Sequence, residues 1–460
     1  MLRRSPPADR TSARARRTIA AVATACACAA LVAAVAGCGD AALAPAHPAV
    51  GAIRTRRSGR GEVRRRVTEG PASAQLTIGA RARLIAIPRS FLGLSTEYWS
   101  LPRLQRQPVL LARTLALLHV RGDGPFVLRV SGDSADHSFW DPRPRPVPHW
   151  AFGVTPPWLH QLRRLVRRLH LRLIVDLNLI TDSPGSAARW AQAIRAGLPR
   201  GTIAAFEVGN EPDIYDRPYW RAMTAAAPLG VVPPRALTAR DYATDFRRYA
   251  AALSAVAPHV PLAGPALANP KLDAGWVSTL LDDDRRSVGM ITAHAYPHSA
   301  CAPPGSSRYP TIPRLLSRRA TAGMTATLRR AVRIAHAAGV EVRLTEINSV
   351  TCGGRPGVSD AFASALWAPG ALFDLIRAGI GGVNVHVRAG TINAPFTIGS
   401  RGLVARPLLY GLVLFARTLG ARAALAADRL RAASDLHLAA WGVAVRGHHL
   451  HVLLIGPRPR

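Results

Sequence analysis

The sequence predicts an α/β protein built on a (β/α)8 barrel (TIM barrel), with a small accessory β-sandwich-like domain beside it. Eight short apolar runs recur along the middle of the chain, and amphipathic helical patterns separate many of them. Near-continuous apolar character is typical of parallel strands that are covered on both faces, and eight β/α units of this size form a closed barrel. At 460 residues, the chain is long enough for the barrel and a smaller domain.

The eight apolar runs are the predicted barrel strands. In chain order they span residues 90–98, 126–132, 171–179, 203–212, 260–267, 289–297, 341–349 and 381–387. The stretch WLHQLRRLVRRL between the second and third runs is typical of an amphipathic helix, because its leucines and Val166 share one face and its arginines the other. We predict that the barrel covers residues 90–420 and ends with a helix at 406–420.

Two further patterns lie outside the barrel. The stretch AQLTIGARARLIAI alternates apolar and polar residues like an antiparallel strand. We therefore assign residues 76–89 to the accessory domain. The stretch HLAAWGVAVRGHHLHVLLIG predicts a β-hairpin with its turn around Arg446 and Gly447. We expect the N-terminal strand to pair with the C-terminal ones, so that residues 421–460 complete a short accessory β-domain.

The N-terminus predicts export. A basic segment precedes an apolar stretch at 18–37, the pattern of an export signal. Its end, LVAAVAGC, resembles a bacterial lipobox, in which the chain is cut before the cysteine and Cys38 receives a lipid. A transmembrane anchor is the alternative, since the stretch just suffices to span a bilayer. We predict a lipoprotein-type signal at 1–37 and a flexible Arg- and Pro-rich tether at 38–75, and hence a cell-envelope lipoprotein or a secreted protein.

The net charge of +33 is extreme and favours a polyanionic partner. Lys271 is the only lysine, however, so the arginines reflect the composition of the whole chain and not one local surface. No nucleic-acid-binding motif accompanies the charge, and we predict no nucleic-acid partner. An acidic glycan or an anionic envelope surface fits the charge equally well, and we expect contact with a membrane only through the N-terminal lipid anchor. We expect a monomer.

Two cysteines, Cys301 and Cys352, remain after the predicted signal and Cys38 are set aside. They follow strands 6 and 7, which are neighbours in the barrel, and two cysteines in an exported protein are typical of a disulfide. His294 and His386 could be metal ligands, but a histidine at a barrel rim more often forms hydrogen bonds. We predict no metal site and no cofactor.

Two glutamates lie at strand ends, where barrel enzymes place their catalytic groups. Glu211 follows Asn210 in FEVGNEPDIY on strand 4, and Glu346 lies in VRLTEINSV on strand 7. Asparagine and proline are common in turns, and a glutamate beside them is usually solvated. A buried glutamate within an apolar strand is costly without a partner or a function, however. Two convergent carboxylates suit glycoside hydrolysis.

These motifs resemble clan A of the glycoside hydrolases and, within it, family 79, the β-glucuronidase and heparanase group. The stretches that carry the resemblance are VLRVSGDSADHSFW, FEVGNEPDIY, ITAHAYPHSAC and LTEINSVTCGGRPGVSDAFASALWA, on strands 2, 4, 6 and 7. The resemblance runs from residue 76 to the end of the chain. It implies a retaining exo-β-glycosidase that hydrolyses β-glucuronides by double displacement.

The resemblance also implies roles for individual residues. Glu211 would be the general acid/base and Glu346 the nucleophile. Asn210 would hydrogen-bond to the sugar 2-hydroxyl. Tyr296 is a candidate donor that would help to keep Glu346 ionised.

Further residues would contact the sugar. Glu97 and Asp133 match family positions that bind hydroxyl groups, although Asp133 in SGDS is equally compatible with a turn residue. The backbone N–H groups of Gly353 and Gly354 would bind the substrate carboxylate.

The chain departs from the family pattern in two ways. Family members usually carry a tyrosine five residues after the nucleophile, which donates to the glucuronate carboxylate, whereas this chain has Thr351. Arg388, just after strand 8, could replace that contact or could be a surface arginine. The accessory domain also looks shorter than is usual for the family.

Two other functions are compatible with the sequence. The same mechanism could act on a neutral β-glycoside. Alternatively, the chain could be a lipid-anchored carbohydrate-binding protein without turnover. The presence of both glutamates, Asn210 and the glycine loop argues against the binding protein, which would have no chemical need for the pair.

Overall fold

The eight predicted strands close into one parallel barrel in a computed structural model of the chain, and the predicted fold class is confirmed. The structure describes residues 74–79, 84–120, 122–218, 220, 236–432, 438–445 and 449–456. The predicted export signal, Cys38 and most of the tether lie outside these residues, as does the predicted hairpin turn at Arg446 and Gly447. Within the described ranges, no helix is both long and apolar enough to cross a bilayer.

The strands follow the predicted order along the chain. They are β1 (Ala74–Gly79), β2 (Ile85–Ala86), β3 (Leu92–Glu97), β4 (Val127–Ser131), β5 (Ser138–Trp140), β6 (Phe152–Val154), β7 (Arg172–Leu177), β8 (Ile203–Val208), β9 (Leu262–Leu267), β10 (Val288–Ala295), β11 (His298–Ser299), β12 (Glu341–Ile347), β13 (Val350–Thr351), β14 (Gly382–Val387), β15 (Phe396–Gly399), β16 (Gly402–Ala405), β17 (Ala424–Leu425), β18 (Ala427–Ala432), β19 (Ala439–Val445) and β20 (His449–Ile455). The barrel is formed by β3, β4, β7, β8, β9, β10, β12 and β14, in this order around the ring.

The helices lie between these strands and cover the barrel. They are α1 (Ser100–Leu104), α2 (Pro108–Leu118), α3 (Pro156–Leu169), α4 (Pro184–Gly197), α5 (Ala239–Ser254), α6 (Ala274–Asp284), α7 (Ile312–Leu315), α8 (Ala322–Ala326), α9 (Arg329–Ala337), α10 (Ala363–Arg377) and α11 (Pro407–Thr418). Short 3-10 turns occupy Asp133–His137, Pro212–Ile214 and Arg318–Ala320.

The helix boundaries follow local sequence signals. Helices α2, α3, α4 and α11 each begin with proline, whose missing N–H would have no partner in the first turn. Helix α5 begins with a capping box between Thr238 and Asp241. Helix α3 buries Leu162 and Val166 and leaves arginines such as Arg163 exposed, as its pattern predicts. The apolar faces of the helices and the barrel strands together form one core.

The accessory sheets join both ends of the described chain. Strand β1 pairs antiparallel with β18, and β2 pairs with β17, so the expected pairing of N-terminal with C-terminal strands is confirmed. The predicted hairpin corresponds to β19 and β20, which pair antiparallel from Ala439 to Val445. The prediction that AQLTIGARARLIAI forms a single N-terminal strand is wrong. Because β1 and β2 pair with different partners in separate sheets, they form two short strands.

Candidate active site

A cavity of about 320 Å³ lies at the carboxyl ends of the barrel strands. Seven of the predicted site residues line it: Glu97, Asp133, Glu211, Tyr296, Glu346, Gly353 and Arg388. Other lining residues include Arg217, Trp220, Thr351, His386 and Asn393. Asn210 and Gly354 do not line the cavity. The chain therefore brings most of the predicted side chains together at one end of the barrel.

Glu211 lies just after β8 in a left-handed backbone conformation, with φ 55° and ψ 48°. Its N–H donates to the carbonyl of Ala266 at 3.2 Å, and Pro212 starts the 3-10 turn that follows. Left-handed backbone is uncommon for a residue with a side chain, and it occurs where the surrounding structure fixes it. The Asn-Glu-Pro sequence thus forms a tight turn that directs the Glu211 carboxyl group into the cavity.

His294 from β10 is the neighbour of the Glu211 carboxyl group. Its Nδ1 lies 2.8 Å from Glu211 Oε1, a hydrogen-bond distance. Its Nε2 is buried and has no hydrogen-bond partner among the described residues. The histidine therefore interacts with Glu211 through one ring nitrogen only, and it fixes one oxygen of that carboxyl group.

Glu346 from β12 is held by several cationic or donor groups. The Tyr296 hydroxyl donates to Oε1, Arg129 Nη1 donates to Oε2 at 3.2 Å, and His386 Nδ1 lies 3.4 Å from Oε2. Burial acts to raise the pKa of Glu346, but the positive charges of His386, His294 and Arg129 act more strongly in the opposite sense. With the Tyr296 hydrogen bond they lower the pKa of Glu346 to about 2. This carboxyl group is therefore ionised near neutral pH.

Glu211 and Glu346 face each other across the cavity. A carboxylate oxygen of each and a ring nitrogen of His294 all lie within 4.8 Å of one another. Three such atoms are also potential metal ligands. Within this set, the hydrogen bond between His294 Nδ1 and Glu211 Oε1 occupies one ring nitrogen and one carboxyl oxygen.

Arg129 from β4 connects the site to the barrel interior, and the sequence reasoning missed it. Its side chain is fully buried and donates to Glu207 at 2.6 Å, to Asn210 Oδ1 at 3.0 Å and to Glu346 at 3.2 Å. Asp176 lies 3.4 Å away. The neighbouring carboxylates more than offset the effect of burial and raise the pKa of Arg129. The arginine thus orients Glu346 and Asn210 together.

Asn210 lies beneath the cavity and is fixed from two sides. Its backbone N–H donates to Asp136 Oδ2 at 3.0 Å, and the Tyr215 hydroxyl donates to the same oxygen at 2.7 Å. Burial raises the pKa of Asp136 to about 6. Arg129 donates to the side-chain carbonyl, and the Asn210 Nδ2 group has no partner among the described residues. That N–H₂ group is available to a ligand.

His386 from β14 lies between two carboxylates. Its Nε2 is 3.7 Å from Glu97 Oε1, and its Nδ1 is 3.4 Å from Glu346 Oε2. Burial disfavours the charged imidazole, but the two carboxylates outweigh this effect and raise the pKa of His386. Glu97 also accepts a hydrogen bond from the Ser134 N–H at 2.9 Å. The sequence predicts a hydrogen-bonding histidine at the barrel rim for His386. It does not predict that this ring lies between two carboxylates.

Asp133 and Arg388 meet at the rim of the cavity. Arg388 Nη1 lies 3.6 Å from Asp133 Oδ2, and the Asp133 side chain is 34% exposed. Partial burial of the Asp133 carboxyl group raises its pKa well above the usual range, and the nearby negative charges of Glu97, Glu211 and Glu346 act in the same sense. The Arg388 guanidinium also lies over the Trp99 ring, 5.5 Å from its centroid. Asp133 therefore lies among the carboxylates of the cavity and contacts one rim arginine.

The glycine loop after β12 is braced by a disulfide. Cys301 and Cys352 are bonded, with their Cα atoms 5.9 Å apart, and β11 pairs with β13 in the same place. Gly353 has φ 76° and lines the cavity. The Gly354 N–H instead donates to the Thr351 carbonyl at 3.4 Å. Of the two predicted carboxylate-binding glycines, the structure brings only Gly353 to the cavity.

Comparisons with known proteins identify the fold. No family profile matches the chain, and no curated protein matches it. A GH51 arabinofuranosidase from Xanthomonas axonopodis pv. citri superposes with a TM-score of 0.63 at 16% identity over 84% of this chain and 85% of that one. A 4-O-α-L-rhamnosyl-β-D-glucuronidase from Fusarium oxysporum gives 0.62 at 15% identity, covering 82% and 80%. A monomeric β-xylosidase from Caulobacter crescentus gives 0.51 at 17%, covering 80% and 74%.

These likenesses, at low identity, concern the fold. The chain has a (β/α)8 fold like that of these glycosidases. No family is defined by these superpositions, which include enzymes named for different sugars.

The low pKa of Glu346 leads to a prediction for the pH dependence of activity. Because this pKa is lowered from 4.5 to about 2, Glu346 stays ionised as the pH falls, and the acid limb of kcat/KM should lie below that of an ordinary glutamate. His386→Gln removes the positive charge that lowers the pKa of Glu346 most strongly, so the acid limb should move to higher pH. Profiles of kcat/KM across the acid range in which both proteins stay folded test this. An unmoved limb would show that His386 does not control the ionisation of Glu346.

Proposed function

We propose that this protein is a retaining glycosidase. The observation that carries the proposal is the placement of Glu211 and Glu346 at the ends of β8 and β12, with carboxylate oxygens within 4.8 Å of each other. Retaining enzymes hold their two carboxyl groups about 5–5.5 Å apart, whereas inverting enzymes need about 6.5–9.5 Å to admit a water molecule. The short separation favours double displacement.

In the proposed mechanism, ionised Glu346 attacks the anomeric carbon while protonated Glu211 gives its proton to the leaving oxygen. The glycosidic bond breaks and a covalent glycosyl–Glu346 ester forms. Glu211, now ionised, then removes a proton from water, which attacks the same carbon and releases Glu346. Under this proposal the Asn210 amide donates to the sugar 2-hydroxyl, a contact that strengthens as positive charge develops on the ring.

We further propose that the sugar is a β-linked glucuronate, cleaved from the end of a chain, and that the protein resembles family 79 in this respect. Arg388 and Arg217 both line the cavity, and Gly353 presents its backbone there. A carboxylate accepts several charge-assisted hydrogen bonds at once, whereas a neutral hydroxymethyl group would leave such donors poorly satisfied. One structural neighbour is a glucuronidase and another an arabinofuranosidase, so the fold serves acidic and neutral sugars alike.

Substrate charge can be tested with matched chromogenic β-glucuronides and β-glucosides. We expect the wild type to prefer the glucuronide and Arg388→Ala to reduce that preference. A hydrogen bond to a charged group contributes about 1.5–3 kcal/mol, which corresponds to about 10- to 150-fold in kcat/KM. Arg103→Ala is the matched control, because Arg103 also lies over Trp99, 4.9 Å from the ring centroid, but does not line the cavity.

Equal or faster cleavage of the neutral glucoside by the wild type would contradict the glucuronide proposal and support a neutral β-glycoside. Sugar binding without turnover of any tested glycoside would support the carbohydrate-binding alternative. Thr351 lines the cavity in the place where the family has a tyrosine, so the arginines must supply most of the charge recognition under this proposal.

We also propose that the protein is exported as a monomer and anchored through a lipid on Cys38. Export and anchoring are proposed from the N-terminal sequence pattern alone. The mass of the N-terminal peptide from the mature protein tests it, because an acylated cysteine at position 38 and an uncleaved signal give different masses.

A further inference from the structure

Two arginines are buried inside the barrel, and their surroundings differ. Arg129, near the carboxyl ends of the strands, contacts three carboxylates: Asp176, Glu207 and Glu346. Arg343, near the amino end of β12, is 4% exposed and makes no ion pair with any described residue. An unpaired buried charge is costly, and the cost is usually avoided by a nearby counter-charge.

The hydrogen bonds of Arg343 go to neutral acceptors. Its Nε donates to Asn384 Oδ1 at 2.7 Å, its Nη1 and Nη2 donate to the Ser90 carbonyl at 3.3 and 3.2 Å, and Nη2 also donates to the Val383 carbonyl at 3.3 Å. These bonds fix the plane of the guanidinium but do not neutralise it. Burial lowers the pKa of Arg343 to about 10, with partial opposition from the Glu341 charge.

The space around Arg343 is formed by glycines on β14 and β3, the next two strands after β12 in the ring. A Cβ atom at Gly382 would overlap Arg343 Nη1, and one at Gly93 would overlap the Val127 carbonyl and press on Arg343 Nη2. Side chains are thus missing at the two positions where they would displace the guanidinium. The two glycines therefore leave the room that the Arg343 guanidinium occupies inside the barrel.

A cavity of about 360 Å³ opens beside this guanidinium at the amino-terminal mouth of the barrel. Its charged lining residues are Arg89, Arg172, Arg343 and Glu341. The Arg89 Nε donates to the Asp123 carbonyl at 2.9 Å, while the exposed Arg172 side chain has no partner among the described residues. Three guanidinium groups and the Glu341 carboxylate thus line this cavity, at the end of the barrel opposite the candidate active site, and the Asp123 carboxylate beside it interacts with Arg89.

We propose that this cavity binds a small oxyanion, that is, a phosphate, sulfate or carboxylate group, between Arg343, Arg172 and Arg89. The exposed Arg172 guanidinium can donate two parallel hydrogen bonds to such a group. Arg343 has one Nη1 N–H left beside its neutral acceptors, and the anion supplies the counter-charge that Arg343 lacks. The volume accommodates an inorganic ion or the anionic end of a small metabolite. The site is separate from the proposed glycosidase reaction and does not depend on it.

Calorimetric titration of the full chain with inorganic phosphate, at constant ionic strength balanced with chloride, tests the proposal. We expect saturable binding of one phosphate that Arg172→Gln weakens by about tenfold, the loss of one charge-assisted hydrogen bond. Arg172 is exposed and its substitution should leave the fold intact, which its thermal unfolding curve verifies. Arg89→Gln should weaken binding in the same way. Sulfate should compete with phosphate, and chloride should not.

Two control variants separate this site from other positive charge on the chain. Arg163→Gln removes an exposed arginine from α3. Arg388→Gln removes the arginine at the candidate active site. Both variants should bind phosphate as the wild type does. An equal loss in Arg163→Gln would show that phosphate responds only to net charge, and a loss confined to Arg388→Gln would place it in the other cavity. Either result, or no saturable binding, would overturn the proposal.

Discussion

Replacing Glu346 by glutamine is expected to reduce kcat by at least about 10⁴-fold, the scale of loss when a catalytic nucleophile or its activating base is removed. The amide is nearly isosteric with the carboxylate but is a poor nucleophile and carries no charge. It also loses the ionic contacts with Arg129 and His386. Sugar binding should persist, because the Asn210 and Glu97 groups remain.

The measurement is turnover of a chromogenic β-glycoside together with the dissociation constant of the product sugar. Asp282→Asn on α6 is the control, since it removes one exposed carboxylate that does not line the cavity. A slow 2-deoxy-2-fluoro glycoside adds an independent test, because the wild type should accumulate a covalent adduct on the peptide that contains Glu346. Near-normal turnover of Glu346→Gln, or an adduct on another residue, would refute the assigned nucleophile.

The barrel could be predicted because its strands follow a simple pattern in the sequence. Each strand is covered on both faces, so it is a short apolar run, and the helices between the runs carry one apolar face. Strands β17 and β18 were not predicted, because they do not form apolar runs of this kind. They are short, and the segment ADRLRA of β18 carries three charges, since it pairs with β1 in a two-stranded sheet outside the barrel.

The catalytic pair was predictable from its position, but the charges that support it were not recognised. Arg129, Asp176 and Glu207 each interrupt an apolar run on strands that are adjacent in the ring, β4, β7 and β8. Alternate residues of a barrel strand point inward, so three such interruptions could have been interpreted as one interior cluster of opposite charges. The sequence contained that signal, although it did not indicate which carboxylate each guanidinium nitrogen contacts.

The loop residues were harder to predict because their positions depend on tertiary contacts. Gly353 and Gly354 are neighbours in the chain, yet one reaches the cavity and the other closes a turn against Thr351. Arg217 lies two residues after Tyr215 in an ordinary polar segment, and only the turn that starts at Pro212 brings it to the cavity. Neither outcome is encoded in residue type or spacing.

Replacing Glu211 by alanine should produce a loss that depends on the leaving group. General acid catalysis contributes about 10²- to 10⁴-fold, and we expect the full loss with a substrate whose leaving group needs protonation, such as an alkyl alcohol. A nitrophenol leaves without a proton, so formation of the glycosyl–Glu346 ester should be nearly unimpaired for that substrate. Its hydrolysis should still be slow, because no base remains to activate water, and a burst of nitrophenol should precede a slow steady state.

Azide supplies the decisive test of this role. A small anionic nucleophile needs no general base, and the space vacated by the Glu211 side chain at the cavity wall can admit it. Azide should therefore restore steady-state release of nitrophenol from Glu211→Ala and yield a glycosyl azide with the same anomeric configuration as the substrate. His294→Ala is the control, since it removes the hydrogen-bond partner of Glu211 but keeps the carboxyl group, and azide should not activate it. A glycosyl azide of inverted configuration would mean that azide attacked the substrate directly, and the assignment of Glu346 and Glu211 to a double displacement would then fail.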